Sequence, residues 1–508
     1  MAVKSIITSG SSGLVVDIEC HLSNNLPTII IVGFANKAVG EARERLRGAF
    51  ASSKLEMPRK RILINLAPAD VPKADSGFDL AIAASILAAG NKHLLRKLND
   101  AVCIGELGLD GSTRAVRGII GKLLAGRHQN ITRYYIPAKN LAQAQLVPGL
   151  ELYVVHSLAE LYTHLAGLVI IEPTRTSDAN PATIPMSHNV ERLSRAQLSE
   201  VVGQQLAKRG LEIAAAGGHN ILLSGPPGTG KSMLAKALPS IMPPLSREEI
   251  LEVTHIHSLA SFRYDQIVLE RPIRAPHHSA SHIAILGGGS RLTPGEISLA
   301  HRGILLFDEF PEFGQQTLEA LRQPLEDRII SLSRASDSAE YPANFILVAT
   351  ANPCPCGYYG YPQVGQCVCS PLSIVRYKQK LSGPILDRID LQASVHQVNH
   401  QNLLSQAADP AEDTAASQRV LEARTIQQNR HPGFLNGDLS NKLLKATSNL
   451  EAAAKSLLDT AAGRLNLSAR GYMRTIKVAR TIADLEASDA VSPTHVSEAL
   501  AYRAQKPV

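Results

Sequence analysis

The stretch NILLSGPPGTGKSMLAKAL, residues 220–238, constrains this chain more than any other. It reads as an apolar strand over 221–223, a glycine-rich loop, and a helix opening at Lys231. Gly225, Pro226, Pro227, Gly228, Thr229, Gly230, Lys231 and Ser232 fit the phosphate-loop pattern GxxxxGKS. Glycines there let backbone N–H groups turn toward phosphate oxygens, while the lysine reaches the β and γ phosphates and the hydroxyl ligates magnesium. ATP and Mg2+ are therefore the expected ligands, and a strand–loop–helix of this kind places the chain in the α/β class.

Hydrolysis needs more than a cradle. In GILLFDEFPEF, residues 303–313, four apolar residues end in Asp308 and Glu309. Two acids at the end of a buried strand are costly unless they serve chemistry, with Asp308 ordering the magnesium shell and Glu309 polarising the attacking water. A third strand, NFILVATANP, ends at Asn352, a candidate to orient that water or sense the γ-phosphate, with Thr350 as its rival. In SGPILDRIDL, Arg388 is placed to reach a neighbouring subunit's ATP as an arginine finger, or else pairs locally with Asp387 or Asp390.

At 508 residues the chain is long enough for about three domains. Alternating strands and helices mark residues 1–165 as one α/β domain, a Pro/Thr/Ser-rich stretch over 166–194 as a linker, and 195–398 as a second α/β domain. The remainder, 399–508, has helical spacing throughout and reads as a helical lid. No apolar run approaches the roughly 20 residues of a membrane span, and the first twenty residues lack the uninterrupted apolar stretch of a secretory signal, so a cytoplasmic protein with no membrane partner is expected. The net charge of +7 is compatible with a polyanion, and with no tryptophan and 4% aromatics any nucleic-acid contact should fall on phosphates rather than stacked bases.

The order of these motifs resembles the AAA+ ATPases, in which a late helical lobe adds a second arginine from the same subunit. LSARGYMRTIKVARTIADL offers Arg470 for that role, with Arg474 one turn on as the alternative. The stretch RPIRAPHHSASHIAILGGGSRLTPGEISLAHRGILLFDEF, followed by NPCPCG and SGPILDRIDL, is similar to the YifB/ComM family of magnesium-chelatase-like AAA+ proteins, and the likeness extends over essentially the whole chain. The resemblance implies a P-loop AAA+ core and a homo-hexameric ring acting on single-stranded or branched DNA, as a helicase or branch-migration translocase in natural transformation or recombination. Two rival functions stay open: a motor subunit that drives magnesium insertion into a porphyrin, and a protein-remodelling ATPase.

Within the insertion, Gly287–Gly289 with Arg274, His277, His278, His282 and Arg291 suits a loop meeting phosphates, and His278 and His282 stand four apart, a spacing that also suits metal. DRIISLSRASDSAEYPANF reads as a hairpin with Arg328 and Arg334 near its turn. Four of the six cysteines, Cys354, Cys356, Cys367 and Cys369, crowd one loop as two Cys-x-Cys pairs, which fits a structural Zn2+ site, redox-active thiols or an ordinary loop. SIVRYKQK, with Arg376, Lys378 and Lys380, follows as either a DNA contact or a solvated helix face. The first domain resembles the Lon-protease-like domain of this family. Lys122 falls near the protease lysine, but Gly77 or Phe78 stands where the nucleophilic serine belongs and Ser76 comes early, so no peptidase activity is expected.

Overall fold

The structure is a computed structural model that describes residues 2–9, 12–33, 37–68, 77–89, 91–176, 196–260, 265–289, 292–334, 338–381, 383–398 and 409–503. Its first part is built on an eight-stranded mixed sheet. Val3–Ser9 and Ser12–Ser23 pair antiparallel at its centre, Arg61–Ala67 and Thr28–Val32 extend it on one side, and Ala101–Cys103, Arg133–Pro137 and Glu151–Val155 extend it on the other. Thr174–Arg175, read from sequence as linker, pairs along Glu151–Val155 as an edge strand. The helix Asp79–Ala89 is apolar nearly all round because it lies buried across this sheet. Phe78 is buried at its start, and the fully buried Lys122 donates from Nζ to the Ile6 carbonyl at 3.0 Å. Ser76 lies outside the described residues.

Five strands, all parallel, form the second sheet, in the order Ile273–Arg274, Ile304–Phe307, Ile346–Ala351, Ile221–Ser224 and Leu391–Ser394. Ile304–Phe307 and Ile346–Ala351 are buried along their whole length, as expected of strands covered on both faces. Since the strands run the same way, the phosphate loop, the acid pair and Asn352 all emerge at one edge, while the segment holding Arg388 enters Leu391–Ser394 from the opposite edge.

The chain then turns helical. Pro410–Arg430, Asn441–Thr447, Ala452–Leu465, Ala469–Leu485 and Pro493–Ala501 share one apolar core with the helix Gln205–Gly217 of the sheet domain. Side chains of Asp409, Ser440 and Ser468 cap three of these helices by accepting backbone N–H groups left without helical partners. On the other side, Leu245, Ile250 and Val253 of the segment that includes the helix Arg247–Ala260 join the core around Ile119–His128, so the first domain packs directly on the second.

Inside the helical lobe, the fully buried Asp484 accepts from Arg430 at 2.5 Å and from Asn436 at 2.7 Å, and Arg480 lies 3.0 Å away. Removing the carboxylate leaves the buried Arg480 and the half-buried Arg430 without their counter-charge. Asp484→Ala should therefore cost about 3–5 kcal/mol, measured as a fall in the urea midpoint of the lobe.

Candidate nucleotide site

The phosphate loop leaves the strand Ile221–Ser224 and ends in the helix Lys231–Ala237. Gly228 and Gly230 hold φ of 76° and 87°, left-handed values that a side chain resists, and a Cβ at either would meet no protein atom within 4 Å. The loop is thus a backbone cradle with room above it for phosphate oxygens. Thr229 ties it shut from within, donating to the Pro226 carbonyl at 2.9 Å. Lys231 folds back onto the carbonyls of Gly225 and Pro226, at 2.9 and 2.7 Å. Burial pushes its ammonium down to about 8, against the opposing pull of Asp308 and Glu309.

The acids are held by hydroxyls. Ser232 lies 2.9 Å from one Asp308 oxygen and 3.0 Å from the other, and Thr350 donates to Asp308 at 2.5 Å. Thr350 also accepts the Glu309 backbone N–H at 3.0 Å, fixing a residue whose φ of 53° is left-handed. Ser232 and Asp308 so placed fit a magnesium ion shared with nucleotide phosphates. Thr350 therefore shapes the acid pair, whereas Asn352 stands half-buried one residue beyond its strand, its side chain bonded to no other described residue. Glu309 keeps an exposed carboxylate, and His278, from the glycine-rich insertion, comes within 3.9 Å of it. Sequence spacing had paired His278 with His282 or with phosphates, and gave no sign of this contact.

Both candidate arginines lie elsewhere. Arg388 contacts Glu326 and donates to the Pro384 carbonyl at 2.7 Å, so its local partner is neither Asp387 nor Asp390. Arg470 reaches the other oxygen of the same Glu326 at 2.7 Å. Asn220, just before the phosphate-loop strand, donates to the Arg388 carbonyl, so the Arg388 backbone lies at the start of that strand, whereas the phosphate loop leaves from its end, about 16 Å away along five residues. Arg470 is thus held by Glu326 and makes no contact with the phosphate loop among the described residues. Arg474 is the structural arginine, bonded to the Arg388 carbonyl at 2.8 Å and to the buried Asp390 at 2.5 Å. Burial alone would raise the Asp390 carboxyl, yet Arg474 and His219 hold it far below the usual carboxylate range. Glu326 escaped notice in the sequence because an acid on a short helix reads as a solvated face.

Other basic residues are sorted the same way. Arg274 is taken by Glu296 at 2.5 Å, and Arg328 stands at the base of the hairpin Ile329–Ser333 with Ser338–Pro342, not near its turn, bound to Asp438 at 2.7 Å. Arg334 is exposed at the hairpin end, and Arg291 lies outside the described residues. Lys378 covers the Tyr359 ring at 5.0 Å and Lys380 pairs with Glu312 at 3.3 Å, leaving Arg376 exposed on that helix. Among the described residues, the set able to hold a metal is Cys354, Cys356, Cys367 and Cys369, whose sulfurs all lie within 4.8 Å of one another; the His278 and His282 pair is not part of it.

Comparison with known proteins agrees with this architecture. Family models described as the magnesium chelatase subunit ChlI match residues 197–403 and 18–140, and one for the C-terminal part of that subunit matches residues 411–503. The chain is 42% identical over 492 residues to the uncharacterized protein YifB of Escherichia coli, covering 96% of this chain and 94% of that protein. It is 41% identical over 505 residues to the competence protein ComM of Haemophilus influenzae, covering 99% and 97%. A weaker likeness, 23% over 290 residues, covers 53% of the chain and 27% of the DNA replication licensing factor mcm2 of Xenopus laevis.

The lowered lysine has a measurable consequence. With an ammonium near pKa 8 before binding, and phosphates restoring its charge afterwards, nucleotide binding should take up about half a proton per site at pH 8 and close to none at pH 6.5. Calorimetry in buffers of different ionisation enthalpy reads this directly. Lys231→Ala should abolish the uptake at pH 8.

Proposed function

Because the chain belongs to the YifB/ComM family of magnesium-chelatase-like AAA+ ATPases, we propose that it is an ATP-driven ring motor that moves along DNA in the cytoplasm. The observation that carries this reading is the separation of the arginines from the phosphate loop. A subunit whose Lys231, Asp308 and Glu309 stand at one edge of the sheet and whose Arg388 and Arg470 stand at the other is completed by a second copy docked head to tail. Repeating that contact closes a ring, and a hexamer is the closure the family resemblance implies.

Lys231, the loop N–H groups and Ser232 hold the phosphates, Asp308 orders the magnesium shell, and Glu309 takes a proton from the attacking water. Magnesium supplies charge neutralisation on the phosphate oxygens. Thr350 keeps the two acids in register, and Asn352 orients the water. From across the boundary, Arg388 stabilises charge on the γ-phosphate and Arg470 supports it, each exchanging Glu326 for a phosphate oxygen. The four cysteines add a zinc set beside this site.

DNA is favoured over porphyrin and protein substrates by three supports: the near-full-length likeness to a competence protein, the partial likeness to a replication licensing factor, and the basic balance of the chain. Arg334, exposed on a hairpin, is the residue placed to meet phosphates of single-stranded or branched DNA. The chelatase reading draws on the descriptions of the matching family models and is separated by the same assay.

ATPase rate should rise at least several-fold with single-stranded or forked DNA and stay unchanged with porphyrin or casein. Glu309→Gln should lower the rate by about 100-fold or more while nucleotide still binds. An unchanged rate with every DNA form, or a rise with porphyrin alone, would remove the DNA assignment.

A further inference from the structure

The loop from Cys354 to Cys369 begins two residues after Asn352, and the loop and the helix after it each return to the nucleotide site. Gly357, at φ 89°, lies so close to the phosphate loop that a Cβ there would stand 2.6 Å from Cδ of Pro227. The helix Pro371–Lys380, capped by Ser370 just after Cys369, places Lys380 3.3 Å from Glu312, in the turn that follows Glu309. The loop therefore touches the phosphate cradle, and the helix that continues it touches the turn after the acid pair.

Its four sulfurs have the geometry of one ion. Cys354 is 3.3 Å from Cys356 and 3.8 Å from Cys367, and Cys356 is 3.6 Å from Cys367. Tetrahedral zinc with Zn–S near 2.3 Å sets sulfurs about 3.8 Å apart, whereas a disulfide needs about 2.05 Å. All four cysteines are free thiols. Backbone N–H groups already point at two of the sulfurs, Tyr359 to Cys354 and Cys356 to Cys369, both at 3.4 Å, the outer bonds that steady thiolate ligands.

We propose that Cys354, Cys356, Cys367 and Cys369 bind one zinc ion, and that this staple presses Gly357 onto Pro227 so that zinc and nucleotide strengthen each other's binding. The linkage rests on the phosphate loop binding nucleotide and needs nothing from DNA. An ion that closes the loop fixes one wall of the cradle before nucleotide arrives, so less conformational freedom is lost on binding. By thermodynamic necessity the nucleotide tightens zinc by the same factor.

The test uses the full chain. Elemental analysis of protein purified without added metal should give one zinc per chain. Stripping it under reducing conditions, with a chelator that spares magnesium, should raise the Kd for a fluorescent ADP analogue about tenfold, and zinc alone should restore it. Magnesium ADP should make zinc harder to extract by the same factor. Gly357→Ala keeps every ligand but displaces the contact with Pro227, so it should retain zinc while stripping changes its nucleotide Kd by less than about twofold; the effect of magnesium ADP on zinc extraction decides the coupling even if stripped protein unfolds. Less than about half an equivalent of zinc overturns the metal site. A wild-type Kd that stays within about twofold after stripping, or zinc extraction that magnesium ADP leaves unchanged, overturns the linkage. Zinc-loaded protein that binds no nucleotide would overturn the phosphate-loop assignment and the linkage together, with zinc content still deciding the metal site.

Discussion

Parallel strand direction is the constraint on which everything else depends. A parallel sheet sends all its C-terminal ends to one edge, so a loop after Ser224, acids after Phe307 and a polar residue after Ala351 must converge. The same rule sends whatever precedes Leu391 to the far edge, and Arg388 with it. On the proposed reading, half of a hydrolytic site at each edge leaves the single chain incomplete and gives assembly a chemical purpose.

The charges at each edge are managed before any ligand arrives. At one edge Lys231 rests on loop carbonyls and Asp308 on two hydroxyls, so both ionic groups are oriented without being paired to each other. At the other, Glu326 holds a largely covered Arg388 and a more exposed Arg470 together. Exchanging that carboxylate for a phosphate replaces one charged partner with another, which keeps the cost of docking small. Arg474 and Asp390 anchor the arginine pair from below, through the Arg388 backbone.

The phosphate loop and the strands ending in Asp308 and Asn352 were legible because apolar runs bounded by glycine or acid have few other readings. Cysteine crowding was equally plain, though whether the four thiols meet depended on how the loop folds back. What sequence could not carry was side-chain pairing across distance. Glu326 and Arg470 are separated by 144 positions, and Arg328 and Asp438 by 110, so no local pattern announces either contact. The same blindness put Arg328 near the hairpin turn. Thr350 and Asn352 could not be ranked because both sit at a strand end, and only the hydroxyl's two bonds separate their roles.

The account's central claim is that each site is shared between two copies of the chain, and mixing two disabled variants tests it most directly. Lys231→Ala keeps the arginine edge and lacks the phosphate edge, and Arg388→Ala does the reverse. Each alone should lose about 1000-fold or more in ATPase rate. Equal mixtures, reassembled together, should recover up to about a quarter of wild-type activity, since one interface in four joins two intact halves in a head-to-tail ring. A mixture no more active than its separate parts would show that the arginine serves its own subunit, and the shared site would be wrong.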